Sequence, residues 1–406
     1  MKILHVLTDM DPKKGGVCQA VRTMIYGLKE LGVHNEVVCM NPPGAPFLKE
    51  DLFVVNAVGQ AKGPWAYNPN LLPWLLLNFH HFDVVVVHGL WQYHAYAVKK
   101  AMREYKVELK RRKSTQPVPR LYIMPHGMLD PYFQRAEGRK LKAIRNVLYW
   151  KLIEGGVVNN ADGLLFTAEE ELQLAKTTFT PYYPKKEFVI GLGVENPPPF
   201  TESMRKAFFE KCPNVQSRSY LLFLSRIHEK KGVDLLIRAY CDIYKSFKKS
   251  NSKFPGLVIA GPDLEGAYGQ SMQKLVMESD LADSIYFPGM LTKDCKWGAF
   301  YGCDAFILPS HQENFGIAVV EALACGKPVL ISNQVNIWRE IEDSGGGIVA
   351  DDSLPGTQQL LSRWRELSRD AQLSLGINAR HTFEKKFATE SAARRMLSVI
   401  SNDLRC

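Results

Sequence analysis

Glu313 and Glu321 stand eight positions apart, the first in a polar loop (Pro309-Ser310-His311-Gln312-Glu313-Asn314) and the second inside the apolar run Ile317 to Ala324. That run is apolar nearly all round, which predicts a buried helix opening near Gly316. A carboxylate inside such a helix must be paired or must hold something. A nearby arginine or the backbone could satisfy Glu321. The alternative is that both carboxylates face a polyhydroxylated ligand, since helical side chains lean toward the N-terminus and can bring Glu321 back to the helix mouth. Carboxylates accept hydrogen bonds from vicinal hydroxyls, and the free amides opening the helix favour an anion such as diphosphate.

Two cations five positions apart, Arg226 and Lys231, lie in the loop Ser225-Arg226-Ile227-His228-Glu229-Lys230-Lys231-Gly232 and can converge on one anion. Lys14-Gly15-Gly16 lies between a strand and a helix, and a glycine pair permits close backbone approach to a phosphate or sugar. It is not a GxGxxG dinucleotide fingerprint. His88-Gly89-Leu90-Trp91 and His126-Gly127 each follow an apolar run. One histidine after a strand is usually structural, but two such pairs at neighbouring strand ends suggest a site. Asp9-Met10-Asp11 has the DxD form of a metal clamp, but that clamp belongs to a single-domain scaffold; it is read as polar loop, and no metal is expected.

The elements that must position these residues alternate. Strands are expected at Ile3–Leu7, Glu36–Cys39, Asp83–Val87, Leu121–Met124, Gly163–Phe166 and Phe188–Ile190. Six more follow at Tyr220–Leu224, Leu257–Ile259, Ile285–Phe287, Ala305–Leu308, Pro328–Ile331 and Gly347–Val349. Helical patterns between them predict βαβ units and two parallel sheets. The three prolines of Glu195-Asn196-Pro197-Pro198-Pro199 cannot join a helix or a central strand. The expected division is residues 1–195, residues 196–385, and a terminal helix over 386–406. Open α/β sheets bind ligands beyond the carboxyl ends of their strands, where every candidate residue lies.

The Glu-x7-Glu spacing, with Phe315-Gly316 after the first Glu and the second opening Glu-Ala-x-Ala-x-Gly-x-Pro-Val, resembles the signature of retaining glycosyltransferase family 4, also described as glycosyl transferases group 1. The resemblance implies an α/β fold of two facing Rossmann-like domains (GT-B) with the active site in the cleft between them. Residues 1–195 would bind the acceptor and residues 196–385 the nucleotide sugar, and the terminal helix over 386–406 would cross back to the first domain. It implies that Glu313 holds hydroxyls of the transferred sugar, that Glu321 holds the ribose, and that the amides of Phe315, Gly316 and Ile317 face the phosphates. Asn314 stands where glycine is commoner; Asn tolerates left-handed backbone angles. Arg226 and Lys231 match the family's Arg-x4-Lys-Gly, whose cations neutralise the leaving diphosphate. Gly15 and Gly16 match its glycine loop, His126 its sugar-contacting histidine, and backbone near Gly261 its base-recognition site. His88 and Trp91 would line the acceptor side. The implied reaction moves a hexose from a nucleoside diphosphate sugar to a glycan or lipid-linked acceptor, retaining configuration, with no cofactor. A nucleotide-sugar epimerase, a glycogen phosphorylase-like enzyme and a non-catalytic carbohydrate-binding protein remain as alternatives.

Composition fits an enzyme of two domains. The chain has 406 residues, 46% hydrophobic and 23% charged, enough for two cores and not disordered. The run Ile3 to Leu7 is too short for a signal peptide, and Leu71 to Phe79 is broken by Pro73, so a cytoplasmic protein is expected. Eight scattered cysteines without a CxxC pair read as reduced and hold no zinc site. Residues 99–145 contain 14 Lys+Arg against 4 Asp+Glu, so this segment accounts for the whole net charge of +9. Charge this localised, over residues 99–151, predicts peripheral contact with an anionic inner membrane leaflet. No nucleic-acid module accompanies it, and no nucleic-acid partner is expected.

Overall fold

The computed structural model describes every residue except 136–139, 217, 248–253 and 406. The chain divides into two compact units, Met1–Gly193 with Thr389–Cys406, and Val194–Ala388.

The first unit holds seven strands: β1 (Lys2–Leu7), β2 (His34–Cys39), β3 (Val54–Ala57), β4 (Val84–His88), β5 (Arg120–Met124), β6 (Gly163–Phe166) and β7 (Glu187–Val189). They run parallel in the order β3-β2-β1-β4-β5-β6-β7. The second unit holds β8 (Tyr220–Leu224), β9 (Gly256–Ala260), β10 (Ile285–Gly289), β11 (Ala305–Leu308), β12 (Val329–Ser332) and β13 (Gly347–Ala350), parallel in the order β10-β9-β8-β11-β12-β13. Both sheets are doubly wound, with helices in the crossovers. The central strands are buried along their length; β4 reads Val-Val-Val-Val-His with all five residues buried. That continuous apolar run is what a strand covered on both faces requires.

Six strands were expected in the first unit and seven are present among its described residues. β3 escapes a sequence reading because it lies at the sheet edge, where Val54 is exposed and its other three residues are only half-buried. An edge strand needs neither a continuous apolar run nor strict alternation. The other strands fall within a few residues of their expected positions, and Pro73 is tolerated in the first turn of the helix Leu71–Asn78.

Strand order reverses between β1 and β4 in the first sheet and between β8 and β11 in the second. These are the switch points where loops after adjacent strands diverge and open a crevice. The loops carrying His88, Arg226, Lys231 and Glu313 all leave from these strands.

The tail begins as the helix Arg369–Thr382, continues through a π-helical turn at Phe383–Phe387, and ends in the helix Thr389–Arg405. That last helix belongs to the first unit and packs on the helix Gly16–Glu30. A Cβ at Gly27 would stand 2.9 Å from the Ala393 Cβ, so only glycine allows this approach. Asp403 near its end accepts hydrogen bonds from the Tyr122 hydroxyl and from Lys186 Nζ.

Candidate functional site

In the second unit the loop after β8 is folded tightly over its neighbours. Gly232 adopts φ 65°, and a Cβ there would meet the Pro309 carbonyl oxygen at 2.0 Å; a Cβ at Gly261 would meet the Ser225 oxygen at 1.7 Å. Both glycines are dictated by close backbone approach. The result fixes Lys231, which is buried, against Glu313: its Nζ donates to Glu313 Oε2. Glu313 is held from the other side by the loop after β12, through Glu313 N to Gln334 O (2.9 Å) and Asn336 N to Glu313 O (2.9 Å). Lys230 turns instead to Gln312, 2.6 Å away. Arg226 is exposed on the same loop.

Gly316 is left-handed (φ 74°) and opens the helix Ile317–Ala324. Asn314 shows no left-handed backbone, so tolerance of that conformation does not explain the asparagine; its side chain instead accepts from Asn336 Nδ2 at 3.4 Å. Phe315 is buried with its ring 5.7 Å from that of Phe387, edge-on. The helix is not buried all round: Ile317 is 40% exposed, and Glu321 and Cys325 follow it at four-residue intervals on a partly open face. Glu321 is paired, with Lys296 Nζ 2.7 Å from its Oε1. Lys296 comes from the helix Lys293–Gly302, and the sequence reading missed it because a lysine in an amphipathic helix carries no signal of its partner.

In the first unit, a cavity of about 630 Å³ lies beside edge strand β3, and a second, of about 450 Å³, opens beyond β1 and β4. The second is lined by Asp9, Gly15, Gly16, His88, Gln92 and His94 among others, and so brings together three of the expected residues. No protein atom lies within 4 Å of where a Cβ would stand on Gly15 or Gly16, so this loop presents bare backbone. Asp9 Oδ1 accepts from Asp11 N (2.8 Å) and Asn41 Nδ2 (2.7 Å).

His88 is buried and both its ring nitrogens are engaged, Nε2 with His5 Nδ1 (2.9 Å) and Nδ1 with His126 Nε2 (3.0 Å). Its imidazole therefore has no nitrogen to offer a ligand. His126 holds a left-handed backbone (φ 53°), and the amide of Gly127 after it donates to Glu171 Oε1 at 2.6 Å. Glu171 also accepts from Thr167 N and Oγ1, which pins the turn. Burial pushes His5, His94 and His126 down to about 4 and His88 well below the ordinary histidine range, so the cluster is neutral. Trp91 does not line the cavity. Its indole packs on Phe179 (5.2 Å between centroids) and its Nε1 donates to Met128 O at 3.2 Å. Beneath it Glu154, buried, accepts from Trp91 N, and burial raises its carboxyl to about 7.

Two Rossmann-like units with site residues at their switch points define the GT-B fold. Over its whole length the chain resembles the glycosyltransferase of Rickettsia africae (TM-score 0.72, 18% identity, 100% of this chain and 98% of that one). It also resembles HepE of Anabaena solved with UDP-glucose (TM-score 0.65, 16% identity, 99% and 100%).

Residues 204–382, which lie inside the second unit, match the family model described as Glycosyl transferases group 1. D-inositol 3-phosphate glycosyltransferase of Thermomonospora curvata is 26% identical over 181 residues, 44% of this chain. The match spans 42% of that relative's length.

Proposed function

We propose that this protein is a retaining, metal-independent glycosyltransferase that moves a hexose from a nucleoside diphosphate sugar to a hydroxyl acceptor. The observation that carries this is the Lys231–Glu313 pair at the β8/β11 switch point, inside the segment that matches the group 1 family model and just before the helix that carries Glu321. A buried lysine beside an exposed arginine suits a diphosphate whose negative charge grows as the glycosidic bond breaks, and stabilising such charge is often the largest catalytic effect. In this reading Lys231 and Arg226 receive the leaving diphosphate, and the amides of Phe315, Gly316 and Ile317 face its oxygens. Glu313 and His126 hold sugar hydroxyls and Glu321 the ribose, with Asn314 and Gly261 beside the nucleotide. Gly15 and Gly16 would offer the donor their bare backbone. The acceptor would enter the cavity beyond β1 and β4 and attack from the face the diphosphate leaves, passing its proton to a phosphate oxygen. His88 and Trp91 then support the acceptor side from behind.

A thermal-shift and hydrolysis screen against UDP-, GDP- and ADP-sugars tests this, with Glu321→Ala alongside. One nucleotide should stabilise the protein but not the variant, with slow donor hydrolysis. Stabilisation by none of them would overturn the reading.

The acceptor is proposed to be a lipid-linked or polysaccharide intermediate met at the inner face of a membrane. Leu141, Ile144, Leu148 and Leu152 are all exposed and recur at helical spacing along Lys140–Tyr149 and the turn after it, with exposed Lys142, Arg145 and Lys151 around them. Such a face suits the interfacial zone of an anionic bilayer. Positions 136–139 of the basic segment 99–151 lie outside the described residues. No helix among the described residues is long and apolar enough to cross a membrane. The full chain should co-sediment with phosphatidylglycerol vesicles, and Leu141→Ser with Leu148→Ser should release it; unchanged sedimentation of that double variant would remove the membrane contact from the account.

A further inference from the structure

Four side chains of the first unit form one hydrogen-bonded line, Asn35–His5–His88–His126, running from β2 through β1 and the end of β4 to the turn after β5. Its polarity follows from one fixed end. Asn35 Nδ2 donates to the Val33 carbonyl oxygen at 2.9 Å, and a carbonyl can only accept. The amide oxygen of Asn35 therefore faces His5 Nε2, 3.1 Å away, and that nitrogen must carry the hydrogen. A neutral imidazole has one N–H, so His5 Nδ1 is a bare lone pair and His88 Nε2 must donate to it. His88 Nδ1 is then bare in turn, and His126 Nε2 must donate to it. What is left at the end of the line is His126 Nδ1, a lone pair with no partner among the described residues.

We propose that Asn35, His5 and His88 are positioning residues that lock His126 in its Nε2–H form, so that Nδ1 presents an acceptor to a hydroxyl of the bound ligand. Which ring nitrogen carries the proton is set by the hydrogen bond the other one makes. Here that rule is applied three times in series. The consequence is chemical selectivity: His126 takes a hydrogen-bond donor, such as a sugar hydroxyl, and repels a phosphate or carboxylate oxygen. The line does not conduct protons, because the Asn35 amide oxygen is not a base and cannot receive one. Burial of His5 and His88 and the desolvation of half-buried His126 keep the three rings neutral, the condition the polarity requires. The identity of the hydroxyl rests on the proposed function, since His126 faces a donor sugar only in that reading; the tautomer does not.

The test uses the full chain labelled with 15N at histidine, read by long-range 1H–15N correlation at pH 7, with His126 assigned from His126→Asn. The expected spectrum shows His5, His88 and His126 each as a single Nε2–H tautomer. In Asn35→Leu the anchor is gone, and His126 should become a mixture of both forms. Hydrolysis of the donor found in the nucleotide screen should fall roughly tenfold, while stabilisation by UDP or its counterpart is unchanged. An Nδ1–H or mixed His126 in the unaltered chain would overturn the proposal, as would an unchanged single tautomer in Asn35→Leu. If Asn35→Leu does not fold, the unaltered spectrum decides alone. If no nucleotide binds, the glycosyltransferase reading fails while the tautomer result still stands.

Discussion

The two units solve the same problem, presenting side chains at a switch point, with opposite electrostatics. In the second unit the site is charged: Lys231 on Glu313 and Lys296 on Glu321, with Arg226 exposed nearby. In the first unit the histidines of the site are neutral imidazoles, and the only charged side chains lining its cavity beyond β1 and β4, among the described residues, are Asp9 and Lys14. Fixed charge suits a group whose own charge changes during reaction. Directional neutral hydrogen bonds suit hydroxyls that must be sorted by orientation. The division of labour in the proposed function follows this contrast more closely than it follows any single residue.

The contrast is broken hardest by removing charge from the second unit. Lys231→Ala should lower turnover by about 10²–10³, as expected for loss of a group that stabilises transition-state charge. Steady-state transfer or donor hydrolysis measures it, and a loss below tenfold would leave the charged site without its central cation. Folding should respond in the opposite unit. Asp403 is almost fully buried whereas Lys186 is 47% exposed, so Asp403→Ala chiefly leaves the Tyr122 hydroxyl without its acceptor and should cost about 1–3 kcal/mol. Urea unfolding followed by hydrogen exchange should show that loss in Met1–Gly193 and spare Val194–Ala388.

Acid sharpens the same comparison. His5, His94 and His126 titrate near 4 when folded and near 6.5 when unfolded, so between those values the unfolded chain binds more protons. Stability of the first unit should therefore fall as pH drops from 6.5 toward 4, by about 2 kcal/mol for each buried histidine at pH 5. Exchange rates in the second unit should change less over that range. The smallest effect belongs to Lys296→Met. Its pair with Glu321 is partly open to solvent, at 23% and 14% side-chain exposure, and its loss should change stability by less than about 1 kcal/mol.

Much of this was legible in the sequence, because strongly apolar strands and glycine-punctuated loops are local signals. The second unit's strands, the Glu313 loop and the Lys231 turn all follow from runs of a few residues. What stayed hidden was partnership between distant positions. His5 interrupts the apolar strand Ile3-Leu4-His5-Val6-Leu7, and Asn35 lies just inside β2; a polar residue in a buried strand was the available sign of a network. Nothing in the sequence joins Lys296 to Glu321 or Asp403 to Tyr122, since each pair forms only when the crossovers close. Trp91 looked like an acceptor platform because aromatic faces suit sugars, but its neighbours Phe179 and Trp150, remote in sequence, draw it into an aromatic cluster.

The return of the helix Thr389–Arg405 to the first unit has a consequence for biosynthesis. Gly193 lies against Thr389 in one unit, and Val194 N bonds Phe387 O at 2.8 Å in the other, so Val194–Ala388 is an insertion whose two ends leave the first unit side by side. As the ribosome delivers the chain, the inserted unit is complete before its host is. Domains tend to fold as they emerge, at roughly 5–20 residues per second. At that rate the helix Gly16–Glu30 waits about 20–75 seconds for its cover, and Tyr122 about 15–55 seconds for its carboxylate. The host unit, begun before its insertion, is finished after it.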